Sequence, residues 1–349
     1  MKLSAVEIKG LWGKIDLRWE LDPRVNILTG INGAGKSTIM DLIASVIVTN
    51  SLPKELVTKT KRINVEFDNK KDTLVCLSFN DTMLKLKKEA ESNPVYRELW
   101  EDISRSVSFT ASRQQRLNRM GITASVSYLV RDKKLLPLSD KMVDGLNVDI
   151  ISTFDSSLPG DFEQSRIDTL KKQGVRSTLD MELHSLQEQY AYYLGGLATK
   201  MEQNVKEGKP VDRVFVDNLY APKNQFVKIV NELFSQTGKH INIDNSRLEF
   251  VINDEDKHIS LYELSSGEKQ LIYILLTVLM EEQKEYVLFM DEPEISLHVD
   301  WQECLIEKIQ LLNPNCQMLI ATHAPSLLLG GWNSFVKNID DLKCYEPAR

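Results

Sequence analysis

Long apolar runs are missing from this sequence. The longest, Leu271 to Met280, falls well short of the roughly 18 uninterrupted apolar residues that span a bilayer, and Glu268 and Glu281 flank it. Glu7 comes too early for the apolar core of a signal peptide. A soluble, cytoplasmic chain without a membrane partner is expected. Cysteine is scarce: the four, Cys76, Cys304, Cys316 and Cys344, are scattered with no C-x-x-C, which supports neither a zinc site nor a disulfide framework. Positive charge is in deficit, 43 Lys and Arg against 50 Asp and Glu, which excludes a uniformly basic nucleic-acid coat protein. Internal repeats and low-complexity tracts are absent as well.

What is present is the balance of a globular protein, 42% hydrophobic and 27% charged over 349 residues, long enough for two domains or one large domain with an insertion. Alternation predicts strands over Leu3–Lys9, Ile15–Trp19 and Val25–Leu28. From Lys36 the apolar residues Ile39, Met40, Leu42, Ile43, Val46 and Ile47 keep a helical period. Strands follow over Ile63–Phe67 and Thr73–Phe79. In the middle, Leu179, Leu183, Leu186, Tyr190, Tyr193 and Leu197 form a heptad-like seam, open to plain packing or to dimerisation. Gly195-Gly196 within it signals a kink or a close helix approach. A second helix is expected over Lys223–Ser235, then strands over Ile241–Ile243 and Arg247–Ile252.

Gly30-Ile31-Asn32-Gly33-Ala34-Gly35-Lys36-Ser37 matches G-x-x-x-x-G-K-[ST] between a strand and a helix. Glycines let backbone N–H groups close around phosphate oxygens, and the helix N-terminus adds partial positive charge. Lys36 is expected to reach the β- and γ-phosphates of ATP and Ser37 to hold Mg²⁺; Thr38 completes the nucleotide-binding set. Near the other end, Tyr286-Val287-Leu288-Phe289-Met290 is an apolar strand closing on Asp291 and Glu292. A strand sends successive side chains to opposite faces, so Asp291 is expected to bind Mg²⁺ and Glu292 to polarise the attacking water.

Two further segments resemble known ones. Leu264-Ser265-Ser266-Gly267-Glu268-Lys269-Gln270 resembles the signature motif of ABC-type ATPases, and Ile320-Ala321-Thr322-His323 the family's switch-histidine strand. Glu294-Ile295-Ser296-Leu297-His298 resembles the D-loop, with His298 structural or interfacial. The Asp-Glu-Pro-Glu-x-Ser-Leu-His and Thr-His-Ala-Pro pattern is similar to the soluble SMC, RecF and OLD group. The resemblance covers roughly 1–80 and 240–330, and departs from the Leu-Ser-Gly-Gly-Gln of transporter subunits. It implies an α/β fold: an ABC-type P-loop ATPase head of mixed β-sheets with flanking helices, carrying a mainly helical insertion. It implies head-to-head dimers, or higher homo-oligomers, with two ATP molecules between heads. In them Ser265, Ser266, Gly267 and Glu268 meet the partner's nucleotide, and Glu292, His323 and Lys36 serve the chemistry. Gln114 (or Gln115), after the strand-like Ser106–Thr110, is the candidate Mg²⁺-sensing glutamine, the alternative being two solvated polar residues. Trp12, after the first strand, is the candidate adenine-stacking residue.

The expected organisation is 1–100 as the first part of the head, 101–238 as the insertion and 239–349 as the second part. Residues 105–134 hold Arg105, Arg113, Arg116, Arg119, Arg131, Lys133 and Lys134 against Asp132 alone. Such a patch would bind nucleic acid through phosphates, and equally suits an acidic protein or a solvated face. OLD proteins carry a C-terminal Toprim nuclease, for which too few residues follow His323. The expected role is therefore an ATP-hydrolysing sensor or scaffold for a separate effector, such as a nuclease, resembling the ATPases of anti-phage systems such as Septu and PARIS. The alternatives are a RecF-like repair ATPase and an ATP-clamped interaction protein with little turnover.

Overall fold

The computed structural model describes residues 1–49, 52, 56, 59–78, 97, 125–131, 134–137, 145–152, 170–242, 247–252 and 257–344. Two sheets organise them. One is antiparallel, in the order β15 (Lys343–Cys344), β2 (Ile15–Glu20), β1 (Leu3–Leu11), β4 (Arg62–Phe67), β5 (Asp72–Ser78), β6 (Ser125–Arg131), β7 (Lys134–Pro137). The other is parallel, in the order β14 (Val336–Asn338), β3 (Val25–Thr29), β13 (Cys316–Ala321), β12 (Tyr286–Asp291), β8 (Val148–Ser152).

Helix α1 (Lys36–Thr49) lies between the sheets. Its residues Ile39, Leu42, Ile43, Val46 and Ile47 pack with Val6 and Ile63 of one sheet and Val287, Phe289 and Leu319 of the other. A helix covered on both sides must be apolar over most of its surface, and beyond the first turn only Asp41, Ser45 and Thr49, spaced four apart on one stripe, are polar. The opposite face of the parallel sheet, Leu288, Met290, Met318 and Ile320, belongs to a second core. That core is covered by α2 (Thr178–Lys206), α3 (Arg213–Leu233), α4 (Ser266–Met280) and α5 (Val299–Leu312). Burial on both faces makes β12 a continuous apolar run rather than an alternating one. A small antiparallel sheet of β9 (Lys239–Ile241), β10 (Glu249–Ile252) and β11 (Lys257–Ser260) completes the layer.

The middle of the chain differs from its sequence reading in three respects. Residues 101–238 hold α2 and α3, but they also supply β6 and β7 to the antiparallel sheet and β8 to the edge of the parallel one. These strands lie at or next to sheet edges and form by pairing with existing strands, so the boundaries drawn at 101 and 238 cut through the sheets. Helix α3 starts at Arg213 rather than Lys223: the Asp212 carboxylate caps it by accepting from the Phe215 N–H at 2.8 Å, and Pro222 is accommodated inside. Finally, α2 runs unbroken through Gly195 and Gly196, and no described atom comes near enough to meet a Cβ at either. The seam Leu179, Leu183, Leu186 and Tyr190 faces the chain's own core.

Candidate nucleotide site

The three central parallel strands β3, β13 and β12 all end at one edge, where open α/β sheets bind ligands. β3 leads into the glycine-rich loop, β12 ends on Asp291, and β13 on Ala321, in register with it. The loop folds tightly before the helix, with the Ala34 N–H donating to the Ile31 carbonyl at 3.1 Å and the Ile39 N–H to that of Gly35 at 3.0 Å. Gly35 has a φ of +100°, and a Cβ there would lie well under 3.0 Å from the Trp12 ring. Only glycine meets both demands. The Lys36 ammonium is buried and donates to the Gly30 carbonyl at 3.1 Å, curled over the loop it would otherwise leave to a phosphate.

A cleft of about 420 Å³ opens here, lined by Trp12, Asn32, Gly33, Gly35, Lys36, Ser37, Thr38 and Glu292. The Ser37 side chain hydrogen-bonds Asp291. Burial pushes the Asp291 carboxyl above its usual range; the Ser37 bond opposes this, and the charge of Glu292 adds to it. Glu292 follows with φ +48°, a left-handed conformation that costs a non-glycine residue about 1–3 kcal/mol. Its N–H donates to the Ala321 carbonyl at 2.7 Å, extending the parallel ladder by one bond, and its Oε1 lies 3.1 Å from His323 Nδ1. Glu292 is mostly buried, whereas His323 is half exposed.

The signature segment stands apart from this cleft. Ser265 caps α4 in a reciprocal box with Glu268, whose carboxylate accepts from the Ser265 N–H at 2.9 Å and its hydroxyl at 2.8 Å. Glu268 is buried and also paired with Lys239 Nζ at 2.8 Å. Burial opposes its charge, but Lys239 and Ser265 outweigh that and hold the carboxyl below its usual range. Glu268 and Gly267, expected on a nucleotide, are thus buried in the support of the segment; Ser265 and Ser266 remain exposed. His298 caps α5, accepting from the Asp300 N–H at 3.4 Å.

Gln114 and Gln115 lie outside the described residues, as does most of the basic segment. Of that segment Arg131 is described, and its guanidinium forks onto buried Asp72 at 2.7 and 2.8 Å, a structural clasp of β6 to β5. The Arg131 hydrogen bond holds the Asp72 carboxyl below its usual range. Among the described residues no cluster of three His, Cys, Asp or Glu side chains stands ready for a metal, and no helix is long and apolar enough to cross a membrane. Sequence reasoning gave Glu294 no role beyond the D-loop, although Thr322 and His323 both donate to its carboxylate.

A strand, a glycine-rich loop, a helix N-terminus and a carboxylate at the end of β12, one strand beyond β13, define a P-loop nucleotide-binding protein of mixed α/β fold. Residues 25–329 match the family described as "AAA domain, putative AbiEii toxin, Type IV TA system", and the chain belongs to it, with ATP the nucleotide that an AAA domain implies. Among curated proteins it is similar to "Retron Vc95 probable ATPase" of Vibrio cholerae serotype O1 biovar El Tor, 27% identical over 27% of this chain and 21% of that one. It is also similar to "Retron Ec83 probable ATPase" of Escherichia coli, 22% identical over 25% of this chain and 18% of that one. The match thus spans about a fifth of the length of these relatives. Among solved structures, an SMC head bound to the C-winged helix domain of ScpA aligns at TM-score 0.46, with 14% identity, over 95% of this chain and 92% of that one. The SMC head of Thermotoga maritima aligns at 0.39, with 16% identity, over the same shares.

Proposed function

We propose that this chain hydrolyses ATP to ADP and phosphate, and that ATP-driven head-to-head pairing of two copies signals to a separate effector. The observation that carries the reading is the Glu292–His323 pair, 3.1 Å apart, with Glu292 on the wall of the P-loop cleft. Lys36 exchanges its Gly30 carbonyl for the β- and γ-phosphates. The Ser37 hydroxyl and the Asp291 carboxylate, already bonded to each other, are hard oxygen donors suited to Mg²⁺. When bound, the metal neutralises charge on the transferring phosphoryl group. Glu292 orients the attacking water and accepts its proton, and His323 holds the Glu292 carboxylate in place. Trp12, lying on Gly35, offers a flat face for the adenine. Ser265 and Ser266, exposed at the N-terminus of α4, suit the nucleotide of a second copy.

An anti-phage role draws its support from the retron ATPases among the relatives; a separate effector such as a nuclease is part of the proposal alone. Cytoplasmic location belongs to the same reading. The direct test is phosphate release by the purified chain with Mg²⁺ and ATP beside Lys36→Ala. The reading expects turnover in the first and none in the second; undiminished turnover in a folded Lys36→Ala protein overturns it.

A further inference from the structure

We propose that Glu294 is a positioning residue that holds His323 against Glu292, and that it ties the D-loop to the histidine in the same step. The inference rests on the ATPase reading above.

Glu294 is 6% exposed, and no lysine or arginine pairs with it among the described residues. Burying a carboxylate is costly unless hydrogen bonds compensate it, and the bonds it makes all go to one segment. Its Oε1 accepts from the Thr322 hydroxyl at 2.5 Å and from the His323 N–H at 3.3 Å. Thr322 Oγ1 in turn accepts from the Ala324 N–H at 2.9 Å. One carboxylate oxygen therefore sets the path of three consecutive residues, with His323 in the middle. The imidazole Nδ1 then stands 3.1 Å from Glu292 and 3.8 Å from Glu294, one ring nitrogen facing two carboxylates.

The backbone of Glu294 binds the other side. Its carbonyl accepts from the Leu297 N–H at 3.0 Å and from Gln302 Nε2 at 3.3 Å, and Gln302 Oε1 accepts from the Ser326 hydroxyl. The D-loop and the segment after β13 are thus stitched at two points around the same residue. A shift of the D-loop, where a second copy would press, must move His323 with it. Glu294 Oε2 is buried with no partner among the described residues, a cost tolerated for the work of Oε1.

The experiment measures kcat and KM for phosphate release, with ATP affinity and Tm, in Glu294→Ala, Thr322→Val, Thr322→Ser, His323→Ala and the Glu294→Ala/His323→Ala double variant. Misplacing a reacting group by about 1 Å costs up to about 100-fold. Glu294→Ala and Thr322→Val should therefore lower kcat by about 10–100-fold at unchanged KM and ATP affinity. Thr322→Ser, which keeps the hydroxyl, should stay close to wild type. Because Glu294 acts through His323, the double variant should be no slower than His323→Ala alone. A folded Glu294→Ala protein with wild-type kcat, or losses that multiply in the double variant, overturns the proposal. If Glu294→Ala does not fold, Thr322→Val decides, and wild-type kcat in it is equally fatal. A wild-type protein no faster than Lys36→Ala sinks the ATPase reading itself, and this inference with it.

Discussion

Gly267 lies against the carbonyl of Ser296, so close that a Cβ at position 267 would come well under 3.0 Å from that oxygen. Ser296 itself has φ +68°. The signature helix and the D-loop of one chain are therefore seated on each other backbone to backbone, with a glycine as the only side chain that fits. Gly267→Ala should destabilise the fold by about 1–3 kcal/mol, the usual cost of overpacking, and slow ATP turnover with it. Thermal unfolding followed alongside phosphate release checks both; an unshifted Tm would contradict the contact.

Ser266 is exposed where Gly267 is not, so it is the position for testing action across two copies. Ser266→Arg should leave Tm and ATP binding nearly unchanged and abolish hydrolysis by blocking closure over a partner's nucleotide. Mixed with Lys36→Ala, it should regain part of the activity through one rebuilt site. Mixed dimers that form and remain inactive would refute a site shared between two chains.

Glu292→Gln should separate binding from chemistry. The amide is nearly isosteric and still hydrogen-bonds water, but it cannot take the proton. General-base assistance is worth typically about 10²–10⁴-fold, so kcat should fall by that factor with ATP affinity retained. ATP trapped in this variant should increase association between copies, seen by sizing or light scattering and absent in Lys36→Ala. Hydrolysis at the wild-type rate would exclude Glu292 as the base.

At the opposite end of the parallel sheet, burial pushes the Glu281 carboxyl from its ordinary 4.5 up to about 8, with the nearby Asp149 charge adding to the effect. The Asn313 amide donates to it at 2.7 Å, and the buried Cys316 thiol lies alongside. Between pH 4.5 and 8 the folded chain holds a proton here that the unfolded chain has released. Stability is therefore greatest below that window and falls as pH rises through it. Asp149, raised by burial to about 6, acts in the same direction. Wild-type Tm should drop by several degrees from pH 5 to 8.5, and Glu281→Gln, neutral throughout, should flatten much of that slope. An equal slope in both proteins would show that Glu281 ionises freely.

The phosphate loop was legible because its chemistry is local. Eight consecutive residues carry the glycines, the lysine and the serine, and a strand and a helix on either side show their own periods. The apolar run into Asp291 and Glu292 is legible for the same reason, since a strand buried on both faces spends no polar residues until it ends. Tertiary structure alone placed Trp12 on Gly35 and Arg131 on Asp72. It also paired Glu268 with Lys239 and set Glu294 under Thr322. Each of these pairs joins residues from different elements, and a side chain's identity leaves open which distant backbone will reach it. The strands at 125–131, 134–137 and 148–152 escaped for a related reason. They lie at or near sheet edges, where pairing with an existing strand, rather than any strong pattern of their own, makes them strands.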